Sequence, residues 1–147
     1  MELKINASTI LERDGKILLV QEGKKELFQK WNLPGGGLKS GEEIVAGAKR
    51  ETLEEASVDV EIIALLGLYP VAQETHSFNF VFYANIVGGN PAPADDILQC
   101  KWFGRDEIEA FEDSQIEIVG SLKLRKIFAD YFEGIKYPLS VITEIKK

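Results

Sequence analysis

The sequence predicts an α+β domain with a mixed β-sheet. Three observations predict it. Segments of β and helical character follow in the order β, β, helix, β, β, helix, so strands neighbour strands rather than alternating with helices. An Asp14-Gly15 turn signal separates the first two strand-like runs, as in a hairpin. One long amphipathic segment follows a glycine triplet and has helical spacing. The 147 residues suit a single domain spanning the whole chain, 1–147, and can bury a core.

In chain order, Lys4 to Glu12 leans towards β through Ile5, Thr9 and Ile10. Lys16 to Gln21, with Ile17, Leu18, Leu19 and Val20, reads as a buried strand. Trp31 to Pro34 leads into Gly35-Gly36-Gly37, which is not expected inside a regular element. Ser40 is the expected N-cap of a helix reaching about Ala56, with Glu42 and Glu43 at its first turn. Val58 to Leu68 and Ser77 to Val87 are β-rich, the second alternating through Phe78, Phe80 and Phe82. Gly88 to Pro91 is a loop, and Lys101 to Phe103 a short strand. Arg105 to Phe111 and Val119 to Phe132 read as helices, the second closed by Gly134.

Composition excludes several classes. A net charge of −7 repels a nucleic-acid backbone, so no nucleic-acid polymer is expected as a partner. A small phosphorylated substrate stays compatible if a divalent cation screens the carboxylates. Cys100 is the sole cysteine, which forbids an intramolecular disulfide and fits a reducing, cytoplasmic setting. It is expected as a small packed side chain rather than a nucleophile. With His76 the sole histidine, a His/Cys zinc site is disfavoured. Met1 to Arg13 lacks the apolar core of a signal peptide, and no run is long enough to span a membrane.

Glu51, Glu54 and Glu55 carry the chemistry. At i, i+3 and i+4 they share one face of a helix that advances about 100° per residue. Val45, Ala48, Thr52 and Ala56 fall on another side, able to pack on a sheet, and Gly47 leaves the acidic face uncrowded. Three adjacent carboxylates repel, and a hard cation such as Mg²⁺ or Mn²⁺ relieves that repulsion. A bare E-x-x-E-E is most often a solvated acidic face. The glycine triplet just upstream shifts the balance, because it lets backbone groups approach a ligand closely.

These residues resemble the Nudix signature, G-x5-E-x7-R-E-U-x-E-E-x-G-U with U apolar: Gly36, Glu42, Arg50, Glu51, Glu54, Glu55 and Val58 fall on its positions. Trp31-Asn32-Leu33-Pro34 and Gly41-Glu42 are also usual for that family. Thr52 stands where an apolar residue is expected, and Ser57 replaces the glycine suited to a left-handed helix end. The resemblance implies a mixed sheet sandwiched between helices. It implies Mg²⁺ on Glu51, Glu54, Glu55 and the Gly35 carbonyl, with Arg50 orienting a carboxylate and Glu42 bracing the loop. Catalytic roles are expected for Glu54 as base, Arg50 and Glu51. Glu74, Asp95 and Asp96 are outside candidates for the base. Gly36 and Gly37 are expected to meet the substrate; Phe28, Trp31, Phe82 and Trp102 can offer a stacking surface for a heteroaromatic ring, although each taken singly is more often a core residue.

Asp95 to Trp102 and Gly134 to Leu139 are similar to stretches of NudJ-type phosphatases, a branch acting on nucleoside di- and triphosphates and a thiamin-precursor pyrophosphate. The expected partner is thus a small nucleotide or diphosphate, with a homodimer as the common assembly of the family. An isomerase on the same fold needs a Cys and several His residues, which His76 and Cys100 do not supply. A non-catalytic nucleotide sensor is the alternative, disfavoured by the intact acids and by a chain without room for a separate DNA-binding domain.

Overall fold

The computed structural model describes residues 2–116 and 121–145. Two strands form a hairpin at Asp14-Gly15: β1 (Glu2–Arg13) and β2 (Lys16–Glu22). Both turn residues have positive φ, 52° and 76°, as this tight connection requires. After a 3₁₀ turn at Lys25–Leu27 come the short β3 (Trp31–Asn32) and β4 (Gly35–Gly37), then helix α1 (Ile44–Ala56). Two long strands follow, β5 (Asp59–Val71) and β6 (Thr75–Gly88), then β7 (Ile97–Phe103), α2 (Arg105–Glu109), α3 (Ser121–Phe132) and β8 (Tyr137–Pro138). The expected start of the last helix at Val119 lies outside the described residues.

Along its main path the sheet runs β3-β2-β1-β6-β5-β8, while β4 pairs with β1 and β7 with β2. The pairing of β1 with β6 is parallel, and the strand pairs beside it are antiparallel, so the sheet is mixed. Ile10, Leu19, Leu66 and Val81 pack beneath Leu124, Ile127 and Phe128 of α3. Ala7, Leu11, Phe82 and Ala84 pack beneath Ala48 and Ala56 of α1. The α+β class and the sheet held between helices are therefore as the sequence implies. The period-2 alternation of β1 drives this: Ala7, Thr9 and Leu11 face α1, while Lys4, Asn6 and Ser8 line a cavity on the other face.

Three expectations need correction. Gly35–Gly37 is a strand, paired antiparallel with β1 through Ser8↔Gly35, Ala7↔Gly36 and Asn6↔Gly37. None of the three has positive φ. At the first two there is no space for a side chain: a Cβ on Gly35 would lie 2.4 Å from the Ser8 hydroxyl and 2.5 Å from the Ala7 carbonyl oxygen, and one on Gly36 would lie 2.6 Å from Glu51 Oε2. The helix begins at Ile44, not after Ser40. Gly41, at φ +76°, turns the chain between them, and the Glu42 N–H donates to the Lys39 carbonyl at 3.1 Å. The strand expected at Lys101 begins earlier, at Ile97.

Candidate active site

Helix α1 presents its acidic face to β4. Its opposite face is settled by packing: Ala48, Thr52 and Ala56 are fully buried against the sheet. Thr52, polar where an apolar residue is expected, is satisfied there. Its hydroxyl donates to the Ala48 carbonyl at 2.8 Å and lies 2.8 Å from the Thr9 hydroxyl, which must then be the donor in that pair. Ser57 takes the left-handed C-cap conformation (φ 62°, ψ 24°) that glycine adopts without cost. Its N–H donates to the Leu53 carbonyl at 3.0 Å, and its hydroxyl donates to the Ala92 carbonyl at 2.9 Å. The helix end thus keeps its geometry without glycine.

Arg50 is the hub of the acidic face. Its Nε donates to Glu42 at 2.6 Å and its Nη2 to the same carboxylate at 2.8 Å, a two-pronged pairing. Nη1 donates to Glu51 and to Glu54, each at 3.0 Å, and Nη2 also reaches the Gly37 carbonyl at 3.1 Å. The guanidinium holds the Glu42 carboxyl down at about 2, and these carboxylates push the arginine well above its ordinary range.

Glu51 lies on Gly36: a Cβ there would stand 2.6 Å from Glu51 Oε2. Glu55 is half-buried against the glycine strand. Its Oε1 accepts the Gly35 N–H at 2.9 Å. Burial pushes its carboxyl up to about 8; the Gly35 hydrogen bond works against this, while Glu22 and Glu51 nearby add to the rise. Glu55 and Glu22 line a cavity of about 230 Å³ with Gly35, Gly36 and Gly37. Its remaining wall includes Lys4, Asn6, Asn79 and Lys123.

The donors fit a hard cation, since all are oxygens, three on a short stretch of α1 and one the Gly35 carbonyl of β4, and a half-buried carboxylate beside two others favours added positive charge. Glu51 and Glu54 share Arg50 here, so a cation would compete with the arginine for them. Among the described residues no three acidic, His or Cys side chains already converge as a metal cage.

The expected aromatic surface is not assembled at this cavity. Trp31 is buried, packed edge-on against Phe103 at 4.7 Å between ring centres, and Phe82 is fully buried. Phe28 is exposed beyond the 3₁₀ turn, and Trp102 lies under the Arg13 guanidinium. None of the four lines the cavity beside the glycines. Glu74, Asp95 and Asp96 are exposed and also outside its lining. Burial pushes the Cys100 thiol up to about 11, in keeping with a packed rather than a reactive cysteine. Sequence reasoning missed Glu22, which is only 7% exposed and ends an apolar strand that gives no hint of a site. It also missed Asn6 and Asn79, where the polar half of the β1 alternation was a usable signal.

Residues 3–122 match the family model of the NUDIX domain. A human protein named 8-oxo-dGDP phosphatase NUDT18 is 31% identical over 143 residues, covering 94% of this chain and 42% of that relative. An ADP-ribose pyrophosphatase of Methanocaldococcus jannaschii is 29% identical over 112 residues, 73% of this chain and 66% of the relative. The chain spans 32% of the zebrafish (Danio rerio) NUDT18 protein. It therefore covers less than half the length of these vertebrate relatives. A solved NUDIX hydrolase of Nitrosomonas europaea superposes with a TM-score of 0.86 at 28% identity, covering 98% of both chains.

Proposed function

The chain belongs to the Nudix family, and from that membership and the site geometry we propose a Mg²⁺-dependent pyrophosphohydrolase. Its substrate would be a nucleoside di- or triphosphate or a related small phosphorylated metabolite carrying a diphosphate linkage. The observation that carries the proposal is Glu55. It is a half-buried carboxylate held by the Gly35 N–H beside Glu22 and Glu51, an arrangement that a hard divalent cation relieves.

The proposed ligands are Glu51, Glu54, Glu55 and the Gly35 carbonyl, for Mg²⁺ with Mn²⁺ as a substitute. Bound there, the cation would neutralise charge building on the diphosphate oxygens. Arg50 keeps Glu51 and Glu54 oriented and carries positive charge beside Gly37. Gly36 and Gly37 let phosphate oxygens approach backbone. Glu54, with 40% of its side chain exposed, can reach solvent water and is our candidate base. The group leaving with its phosphate would lie along Asn6, Asn79 and Lys123 rather than on an aromatic stack.

The relatives' named substrates, 8-oxo-dGDP and ADP-ribose, support a nucleotide panel as the test. Nucleoside di- and triphosphates, ADP-ribose, diadenosine polyphosphates and a thiamin-type pyrophosphate are offered with and without Mg²⁺, and products are identified by mass. Metal-dependent release of a phosphate product is expected. Glu54→Gln should lower turnover and, because Glu54 is also a proposed ligand, weaken metal affinity; Glu55→Gln should weaken metal affinity too. Nucleotide binding with no turnover on any substrate would instead favour a sensor. Light scattering tests the homodimer common in this family. Among the described residues no helix is long and apolar enough to cross a membrane.

A further inference from the structure

The polypeptide beyond α3 returns to the helix that bears the carboxylates. Gly134, at φ +75°, closes α3, and the Ile135 N–H donates back to the Asp130 carbonyl at 3.0 Å. Tyr137 and Pro138 then pair with Leu65 and Ala64 on β5. Leu139 and Ile142 pack into the core on the α1 side, as Ile44 and Val45 do. The strap ends with Glu144, whose Oε1 accepts the Ile44 N–H, the first amide of α1.

That amide has no partner within its own helix. The N-cap position is held by Glu43 in extended conformation, and its side chain makes no capping bond. Ser40, the cap expected from sequence, lies four residues upstream of Ile44, beyond the Gly41 turn. A carboxylate from 100 residues away therefore supplies both the acceptor and the negative charge that a helix N-terminus favours.

We infer that Glu144 is a positioning residue for the diphosphate site, acting through the first turn of α1. The inference rests on the hydrolase reading of that site. The link is short. Glu42, two residues before Ile44, takes two of the Arg50 hydrogen bonds, at 2.6 and 2.8 Å. Arg50 in turn holds Glu51 and Glu54. Glu42 is held by the Lys39 turn as well, so fraying of the first turn would loosen rather than free it, and Arg50 would then lean more on Glu51 and Glu54, the two carboxylates that the metal would need.

The test compares Glu144→Ala and Glu144→Gln with the unmodified chain, at a temperature where all are folded. Amide hydrogen exchange and Mg²⁺-dependent kinetics are measured together. In Glu144→Ala, exchange at residues 44–47 should speed by about tenfold, the effect of losing one helix cap, while the amides of α3 stay unchanged. The kcat should fall several-fold with KM held, and more Mg²⁺ should be needed for half-maximal rate. Glu144→Gln keeps an acceptor oxygen and should restore most of both. Unchanged exchange at 44–47 would overturn the inference. So would faster exchange with kcat and Mg²⁺ demand at their original values, which would mark the contact as purely structural. An unmodified chain that turns over no diphosphate sinks the hydrolase reading and this role with it. An active one whose variants behave alike sinks the positioning role alone.

Discussion

Thr52 shows how a departure from a family pattern can be neutral when its partner is present. Both Thr9 and Thr52 are fully buried, and their hydroxyls form one chain ending on the Ala48 carbonyl. Thr52→Val keeps the shape but leaves the Thr9 hydroxyl buried without its acceptor, which should cost about 1–3 kcal/mol in urea denaturation. The double change Thr9→Val with Thr52→Val should recover most of that loss, because both partners are then apolar. Equal losses in the single and double variants would show that packing, not hydrogen bonding, sets this position. Gly36 is the complementary case. A Cβ there would stand 2.6 Å from Glu51 Oε2, so Gly36→Ala must displace that carboxylate. Turnover should drop by about 100-fold, the scale of an ångström-sized misplacement, with the far-UV spectrum unchanged. Near-normal turnover would remove Glu51 from the proposed site.

At the scale of elements, α1 is the part of the site that was most legible. The spacing of Glu51, Glu54 and Glu55 against Ala48, Thr52 and Ala56 gives both faces without any structure. Its start was not legible, because the cap is Glu144, 100 residues away, and no local pattern encodes a tertiary acceptor. The glycine triplet marks the right place, but its composition argues against a regular element where the fold has strand β4. Glycine signals close approach as readily as a turn, and only the neighbouring strand tells which. Burial of Trp31 is the usual fate of a single aromatic, but its partner Phe103 comes from β7 and has no local signal. The Glu42–Arg50 pairing ties the loop before α1 to the helix, and its pH dependence has a definite sign. The Glu42 carboxyl is held at about 2 against an ordinary 4.5. Its stabilising effect is therefore complete above pH 4.5 and is lost as pH falls towards 2. Denaturation midpoints from pH 5 to pH 2 should fall less steeply for Glu42→Gln than for the unmodified chain. Parallel curves would mean that this pairing contributes nothing to folding.

For the molecule as a whole, the proposed site and the stability of the fold pull in opposite directions. The Glu55 carboxyl sits at about 8 in the folded protein against an ordinary 4.5. The folded chain therefore binds that proton more tightly than the unfolded chain, and metal-free stability should fall as pH rises through this window. A cation must displace the same proton, so Mg²⁺ affinity should climb between pH 6 and 8, by at most about tenfold per unit, and level off above. Glu55→Gln separates the two effects. Glutamine can still accept the Gly35 N–H, yet it removes the charge that faces Glu22 and Glu51. Without metal the variant should melt a few degrees higher, as active-site substitutions that relieve strain commonly do. The unmodified chain should gain stability on adding Mg²⁺, because the cation binds only the folded form, and the variant should lose that gain together with turnover. Melting curves with and without Mg²⁺ decide it. A variant less stable than the unmodified chain that still responds to Mg²⁺ would make Glu55 an ordinary structural hydrogen-bond acceptor and move the metal elsewhere on the acidic face.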